Sequence, residues 1–322
     1  MVARIRRSSI RHWRRWTVLL PTSCNIRVPA SSANLGPGFD SLGLALDLWM
    51  QVDVTRLNGP GDVRVVACDD LLGGGNLVVE AMQVTADRLG MSLPSCEIAV
   101  LSDIPVARGL GSSASAIVAG IHAAGFVLDV PLSPALVVDI GGEMEGHADN
   151  ISASELGGAT VSIRAERGWV AEVVAPALPW EVVALVPDAP AFTHEARGIL
   201  PPAVSIPDAA ANIGRAAMLA LALRDGRGDL LREAMKDRLH QPYRAAIFPH
   251  LEPVIDAALA AGALGASLSG AGPTILAFAD TAVAAAVAIA MEAAAASHRF
   301  AGRASRLAIA GGAIVDVRAP VR

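Results

Sequence analysis

Pro105-Val106-Ala107-Arg108-Gly109-Leu110-Gly111-Ser112-Ser113-Ala114-Ser115 is the stretch that most narrows what this chain can become. It follows a strand-like run, Glu97 to Leu101, and opens a small-residue segment, Ser115 to Phe126, that reads as a buried helix. Gly109 and Gly111 let backbone N–H groups turn toward a ligand, and Ser112 and Ser113 fall where helix caps are favoured. Such a helix start presents unpaired N–H groups and the positive end of a dipole, so phosphate is its natural partner. A glycine pair alone would suit an ordinary strand–turn–helix link. A Walker A loop is excluded, because it needs Gly-Lys-Ser or Gly-Lys-Thr and the chain's single lysine, Lys236, is far away. Phosphate must then be held by main-chain amides, serine hydroxyls and a metal ion.

At 322 residues the chain can bury one large core or, as composition shifts suggest, two domains. Hydrophobic residues at 53% with a net charge of −5 describe a compact protein, neither disordered nor built for nucleic acid. Cys24, Cys68 and Cys96 form no CxxC pair and cannot make a full disulfide framework, which fits a reducing cytosol. No apolar run reaches the roughly 18 to 20 residues of a membrane helix. Arg4, Arg6, Arg7, Arg11, Arg14 and Arg15 make residues 1–22 a basic extension, expected to be disordered. A second change at Ala175-Pro176-Ala177-Leu178-Pro179 divides residues 23–174 from 175–322.

Four further stretches carry polar residues in unusual settings. Gly36-Pro37-Gly38 forces a tight turn, with Asn34 and Asp40 on its shoulders. Gly73-Gly74-Gly75 leads to Asn76, a good cap for a helix running to about Leu89. Ser133-Pro134 starts another helix that ends near Glu145, followed by Gly146-His147-Ala148-Asp149-Asn150. Beyond the boundary come Thr193 to Pro201 with Arg197, Gln241-Pro242-Tyr243-Arg244, and a second glycine-rich turn, Ser269-Gly270-Ala271-Gly272. The chain closes with a helix from Thr281 and a strand spanning Arg306 to Val317.

The string at Pro105–Ser115 closely resembles the second motif of the GHMP kinases, and Gly265 to Leu276 resembles their third. Ala30 to Gly43, Glu145 to Asn150 and the Arg197 segment are similar to homoserine kinase patterns within that superfamily. The resemblance implies a two-domain α+β fold: an N-terminal α/β nucleotide-binding domain followed by a ferredoxin-like domain. It implies ATP held by Asn76 and residues 105–115, with Mg²⁺ held by Ser113 and Glu145. Asn34, Asp40, Arg197, Arg244, Ser269 and Gly270 would contact the substrate, L-homoserine, and His147, Asp149 and Asn150 would line the reacting oxygens. Two arginines and an aspartate suit a zwitterionic amino acid, the guanidinium taking its carboxylate and Asp40 its ammonium. The activity implied is phosphorylation of homoserine in threonine biosynthesis, by a cytoplasmic enzyme with no nucleic-acid or membrane partner. Two other readings are a GHMP kinase for another small alcohol, such as mevalonate, and a non-catalytic ligand sensor. The chain departs from the family at Ala148, usually proline, and at Ser154 and Glu155, usually small or apolar. A homodimer is compatible with the sequence, which assigns no oligomeric state.

Overall fold

A computed structural model of the chain describes residues 22–68, 76–189 and 193–318. The basic arm, except for Thr22, and Gly73-Gly74-Gly75 lie outside the described residues.

The first sheet starts from a hairpin of two long strands, β1 (Ser23–Asn34) and β2 (Gly38–Pro60), joined at the Gly36-Pro37 turn. Along β2 the apolar–polar alternation at Val52, Asp53, Val54 and Thr55 places both valines inside. Strand β4 (Pro94–Ser102) lies antiparallel to β2, and β3 (Val63–Cys68) lies parallel to β4. The near half of β2 pairs instead with β5 (Ala159–Ala165), which continues to β6 (Gly168–Ala175). Helix α1 (Leu77–Arg88) packs on helix α2 (Ser112–Leu128), which covers this sheet. The alanines and glycines of α2 leave room for α1 on one side and β1 on the other, and Ala114 to Leu128 are buried except His122. Helices α3 (Pro134–Glu145) and α4 (Asp149–Leu156) follow; Ser133 caps α3 through the Leu136 N–H.

The second sheet has the order β10-β7-β9-β8, from β7 (Glu181–Pro187), β8 (Gly265–Leu268), β9 (Ile275–Ala279) and β10 (Gly302–Leu307). Between β7 and β8 lie α5 (Thr193–Gly198), α6 (Ile206–Asp225), α7 (Gly228–Ala234), the one-turn α8 (Gln241–Arg244) and α9 (Leu251–Ala260). Helix α10 (Thr281–Ser297) packs with α9 on this sheet over Val254, Val287 and Met291. Among the described residues, no helix is long and apolar enough to cross a membrane.

The expected strand from Arg306 to Val317 is two strands in different sheets. Residues to Leu307 pair with β7, then Ala308 and Ala310 bond to β2, and β11 (Ile314–Arg318) pairs with β1. Strand periodicity reports which side chains face inward, not which edge supplies the partner. The last strand therefore returns to the first sheet and ties the two halves of the chain together.

Candidate active site

Helix α2 begins at Gly111, whose φ of 69° is left-handed, and no side chain caps it. Ser112 and Ser113 are thus the first residues of the helix rather than its caps, because an N-cap in this conformation calls for glycine. The loop before it is anchored through its carbonyls. Arg108 O accepts from Thr274 N, Gly109 O from the Ser269 hydroxyl at 2.6 Å, and Leu110 O from Ser31 N at 3.0 Å. In a trans peptide the next N–H points opposite to the carbonyl, so the amides of Gly109, Leu110 and Gly111 turn away from this frame. They join the open first turn of α2 along one wall of a cavity of about 480 Å³. The Arg108 side chain does not extend this cradle: it donates to Val106 O, Pro187 O and Asp188 O, stapling the loop to the end of β7.

At the floor, Ser113 Oγ donates to Glu145 Oε1 at 2.5 Å. The other oxygen, Glu145 Oε2, is buried with no hydrogen-bond partner among the described residues. Burial holds the Glu145 carboxyl above the usual carboxylate range, against the favourable His147 charge and the Ser113 hydrogen bond. Oε2 lies 4.0 Å from Nδ1 of the His147 ring. A buried carboxylate oxygen without a hydrogen bond, beside a hydroxyl, is a hard-cation seat, and Mg²⁺ needs only one or two protein oxygens when phosphates and water supply the rest. Asp40, His147 and Asp149 also bring ligand atoms within 4.8 Å of one another. These groups already have partners: His147 Nδ1 lies 2.8 Å from Asp149 Oδ1, and Asp40 is bound to Arg197.

Burial alone would lower the His147 pKa, but the hydrogen bond and charge of Asp149, with Glu145 and Asp40, lift it from 6.5 to about 9. The folded value exceeds the unfolded one, so the stabilisation is complete below pH 6.5 and is lost as pH rises through about 9. The Tm advantage of the parent over His147→Gln is therefore expected to shrink across that window. An advantage that stays constant from pH 6 to pH 10 would contradict a cationic His147.

The substrate-side residues converge on the same cavity, which is lined by Asn34, Asp40, Arg197, Arg244 and Gly270 together with His147, Asp149 and Asn150. Arg197 grips Asp40 with two hydrogen bonds of 2.8 and 2.9 Å. Arg244 differs: it is 1% exposed and donates only to neutral acceptors, Ala196 O, Gly270 O and His240 Nδ1. Among the described residues, its Nη2 has no partner and no carboxylate hydrogen-bonds to it. Desolvation and the Arg197 charge lower its pKa to about 10. The charges of Asp40, Asp237 and Asp149 offset this only in part, and a buried guanidinium hydrogen-bonded to no carboxylate is suited to take an anion. Asn34 is already committed, accepting from Asp40 N and donating to Gly270 O, so it joins the first turn to the third.

Asn76, Pro105, Ala114, Ser115 and Ser269 do not line the cavity. Asn76 caps α1 through the Val78 N–H, and its neighbour Leu77 faces the cavity instead. Ser115 bonds to Pro29 O, and Ser269 to Ser32 and Gly109, so both act beneath the loop. Sequence reasoning passed over Ser31, which accepts from Asn150 Nδ2 at 3.0 Å and from Ser154 Oγ at 3.1 Å. Ser154 thus buttresses Asn150 through Ser31. With Nδ2 held on Ser31, the Asn150 Oδ1 remains for a ligand hydroxyl.

The GHMP kinase N-terminal domain matches residues 76–158 and the GHMP kinase C-terminal model residues 218–297. A homoserine kinase of Microchaete diplosiphon is 40% identical over 84% of this chain and 90% of its own length. One of Deinococcus radiodurans is 42% identical over 79% of this chain and 84% of its own. Among solved structures, homoserine kinase from Cytophaga hutchinsonii superposes with a TM-score of 0.81 at 25% identity, covering 97% of this chain and all of that one. A mevalonate kinase of L. major has a TM-score of 0.69 at 17% identity, covering 88% of this chain and 95% of that one, and shares the fold. An amide cradle at a helix start, a buried Ser–Glu pair and two arginines thus sit in one cleft of a fold matched along most of its length: the chain belongs to the homoserine kinase family of the GHMP kinases.

Proposed function

We propose that this cleft transfers the γ-phosphoryl group of ATP to the side-chain hydroxyl of L-homoserine, giving O-phospho-L-homoserine in the threonine branch of a reducing cytosol. The observation that carries the substrate is Arg244, a buried guanidinium without a carboxylate partner, beside the Asp40–Arg197 pair. An α-amino acid satisfies both: its carboxylate neutralises Arg244, while its ammonium competes for Asp40 and frees Arg197 toward the same carboxylate. Mevalonate has a carboxylate but no ammonium, and would leave Asp40 without that gain.

In this reading residues 23–174 carry the nucleotide and residues 175–322 close the substrate side. Amides of residues 108–113 would hold the phosphates, since the Ser115 N–H is already bonded to Gly111 O, and Ser113 and Glu145 would hold Mg²⁺, which neutralises phosphate charge when bound. Phosphoryl transfer asks the protein mainly for alignment and charge stabilisation. Asn150 Oδ1 orients the acceptor hydroxyl, and Asp149 keeps Asn150 in place by accepting its N–H at 2.8 Å. Asp149 is 1% exposed and already accepts from His147, so it serves as scaffold rather than as dedicated base. Asp149→Asn and Asn150→Ala are each expected to lower kcat by about 100-fold. Parent-like turnover of both variants would remove them from this role.

The reading is tested by ATP turnover with homoserine, serine, mevalonate and shikimate as acceptors. Homoserine is expected to be preferred by a wide margin in kcat/KM. Preference for mevalonate, or no turnover with any acceptor, would overturn it.

A further inference from the structure

The substrate arginine sits in a helix too short to hold its own shape. Helix α8 has four residues, well under the length at which a helix persists unaided. It is held from outside by Asp237, whose buried carboxylate accepts from the N–H groups of Leu239, His240 and Gln241 and from Asn212 Nδ2. That fixes the main chain, not the guanidinium. The guanidinium meets His240, one turn earlier on the same face.

His240 is wholly buried and bridges two elements 204 residues apart in sequence. Its Nε2 lies 2.7 Å from Gly36 O, in the first turn, and its Nδ1 lies 3.0 Å from Arg244 Nη1. Arg244 can only donate, so Nδ1 must be the acceptor and Nε2 the protonated nitrogen. The Asp237 carboxylate is farther from Nε2, at 3.6 Å, so the Gly36 carbonyl takes that proton's hydrogen bond. A doubly protonated ring would set an N–H against an N–H of Arg244, and burial opposes that charge as well. Phe39, from the same turn, packs 5.3 Å from the imidazole and carries the Arg197 and Arg244 guanidinium carbons 5.4 and 5.6 Å above its ring.

The geometry points to His240 as a positioning residue: a neutral imidazole, protonated on Nε2 and anchored to the Gly36 carbonyl, that holds the Arg244 guanidinium in register with Asn34 and Asp40. With Nη1 spent on His240 and Gly270 O, and Nε on Ala196 O, Nη2 is the edge left for a carboxylate. The role rests on the homoserine reading, since the carboxylate it prepares for is the amino acid's. It predicts that His240 governs affinity for the amino acid and not for the nucleotide.

Two isosteric variants separate the halves of the imidazole. His240→Asn places an acceptor oxygen where Nδ1 was, and His240→Gln places a donor amide where Nε2 was. His240→Gln is expected to raise the KM for homoserine roughly 10- to 100-fold, with the KM for ATP within about twofold of the parent. His240→Asn, which keeps the acceptor for Arg244, is expected to stay within about threefold in both. Equal losses in the two variants, or a KM for ATP that moves with that for homoserine, would overturn the assignment. Should neither variant fold, nitrogen-15 NMR of the parent decides: Nε2–H, with a signal that shifts on adding homoserine but not ATP, supports the role. An Nδ1–H tautomer, or a ring indifferent to homoserine, refutes it. A parent that phosphorylates no homoserine would sink the functional reading instead, and the tautomer would still report whether Nδ1 accepts from Arg244.

Discussion

Glu145→Gln is expected to lower turnover by about 100- to 1,000-fold, roughly 3 to 4 kcal/mol of lost transition-state stabilisation, without unfolding the protein. The residue ends α3, where its side chain contributes little to the core and its Oε2 bonds to no described residue. The wild-type carboxylate therefore carries a desolvation cost that Ser113 and the His147 charge, 4.0 Å from Oε2, recover only in part, as its raised pKa reports. Recovery would come from a cation, which the amide attracts far less. Magnesium with a nucleotide analogue should raise the Tm of the parent by binding linkage and raise that of the variant much less. Parent-rate turnover by Glu145→Gln at ordinary magnesium concentrations would show that the buried Ser113–Glu145 pair is structural.

Gly109→Ala should be comparably damaging for a different reason. The residue has φ of +76°, and an added Cβ would lie 2.4 Å from Ser269 O and 2.8 Å from Gly272 O. Those oxygens belong to the backbone of the turn that anchors the loop, so the cradle itself must move. A displacement near 1 Å at a phosphate site costs about 100-fold in kcat/KM. Gly90→Ala is the control: φ is +66° there, but nothing lies within 4 Å. It should lose about 1 kcal/mol of stability and keep parental kinetics. If the two variants behave alike, conformational strain rather than the Ser269 contact explains the requirement for glycine in the loop.

Residue by residue, the site divides by how local its cause is. The cradle was legible at Gly109 and Gly111 because a left-handed turn leaves a signature in the residue type itself. Asn34 and Asp40 were legible for the same reason, bracketing a turn that glycine and proline enforce. The stretch after Gly146 reads as a loop in sequence, yet Asp149 opens α4. Helices α6 and α7 also escaped a pattern reading, since much of α6, including Ile206 and Ile213, carries apolar residues on its exposed face. Arg197 and Arg244 looked equivalent as motif arginines. Folded, one is neutralised by Asp40 and the other is buried among carbonyls.

The sequence by itself determined the conformations that single residues impose and the order of the three glycine-rich turns, because those depend on neighbours within a few positions. Only the tertiary structure decided which hydrogen bonds are already spent. Asn34 on Gly270, Ser269 on Gly109, Asn150 on Ser31 and His240 on Gly36 each close over more than a hundred residues. The capacity of a polar side chain to meet a ligand is what remains after such bonds are made, and that remainder is a property of the packed molecule rather than of the residue.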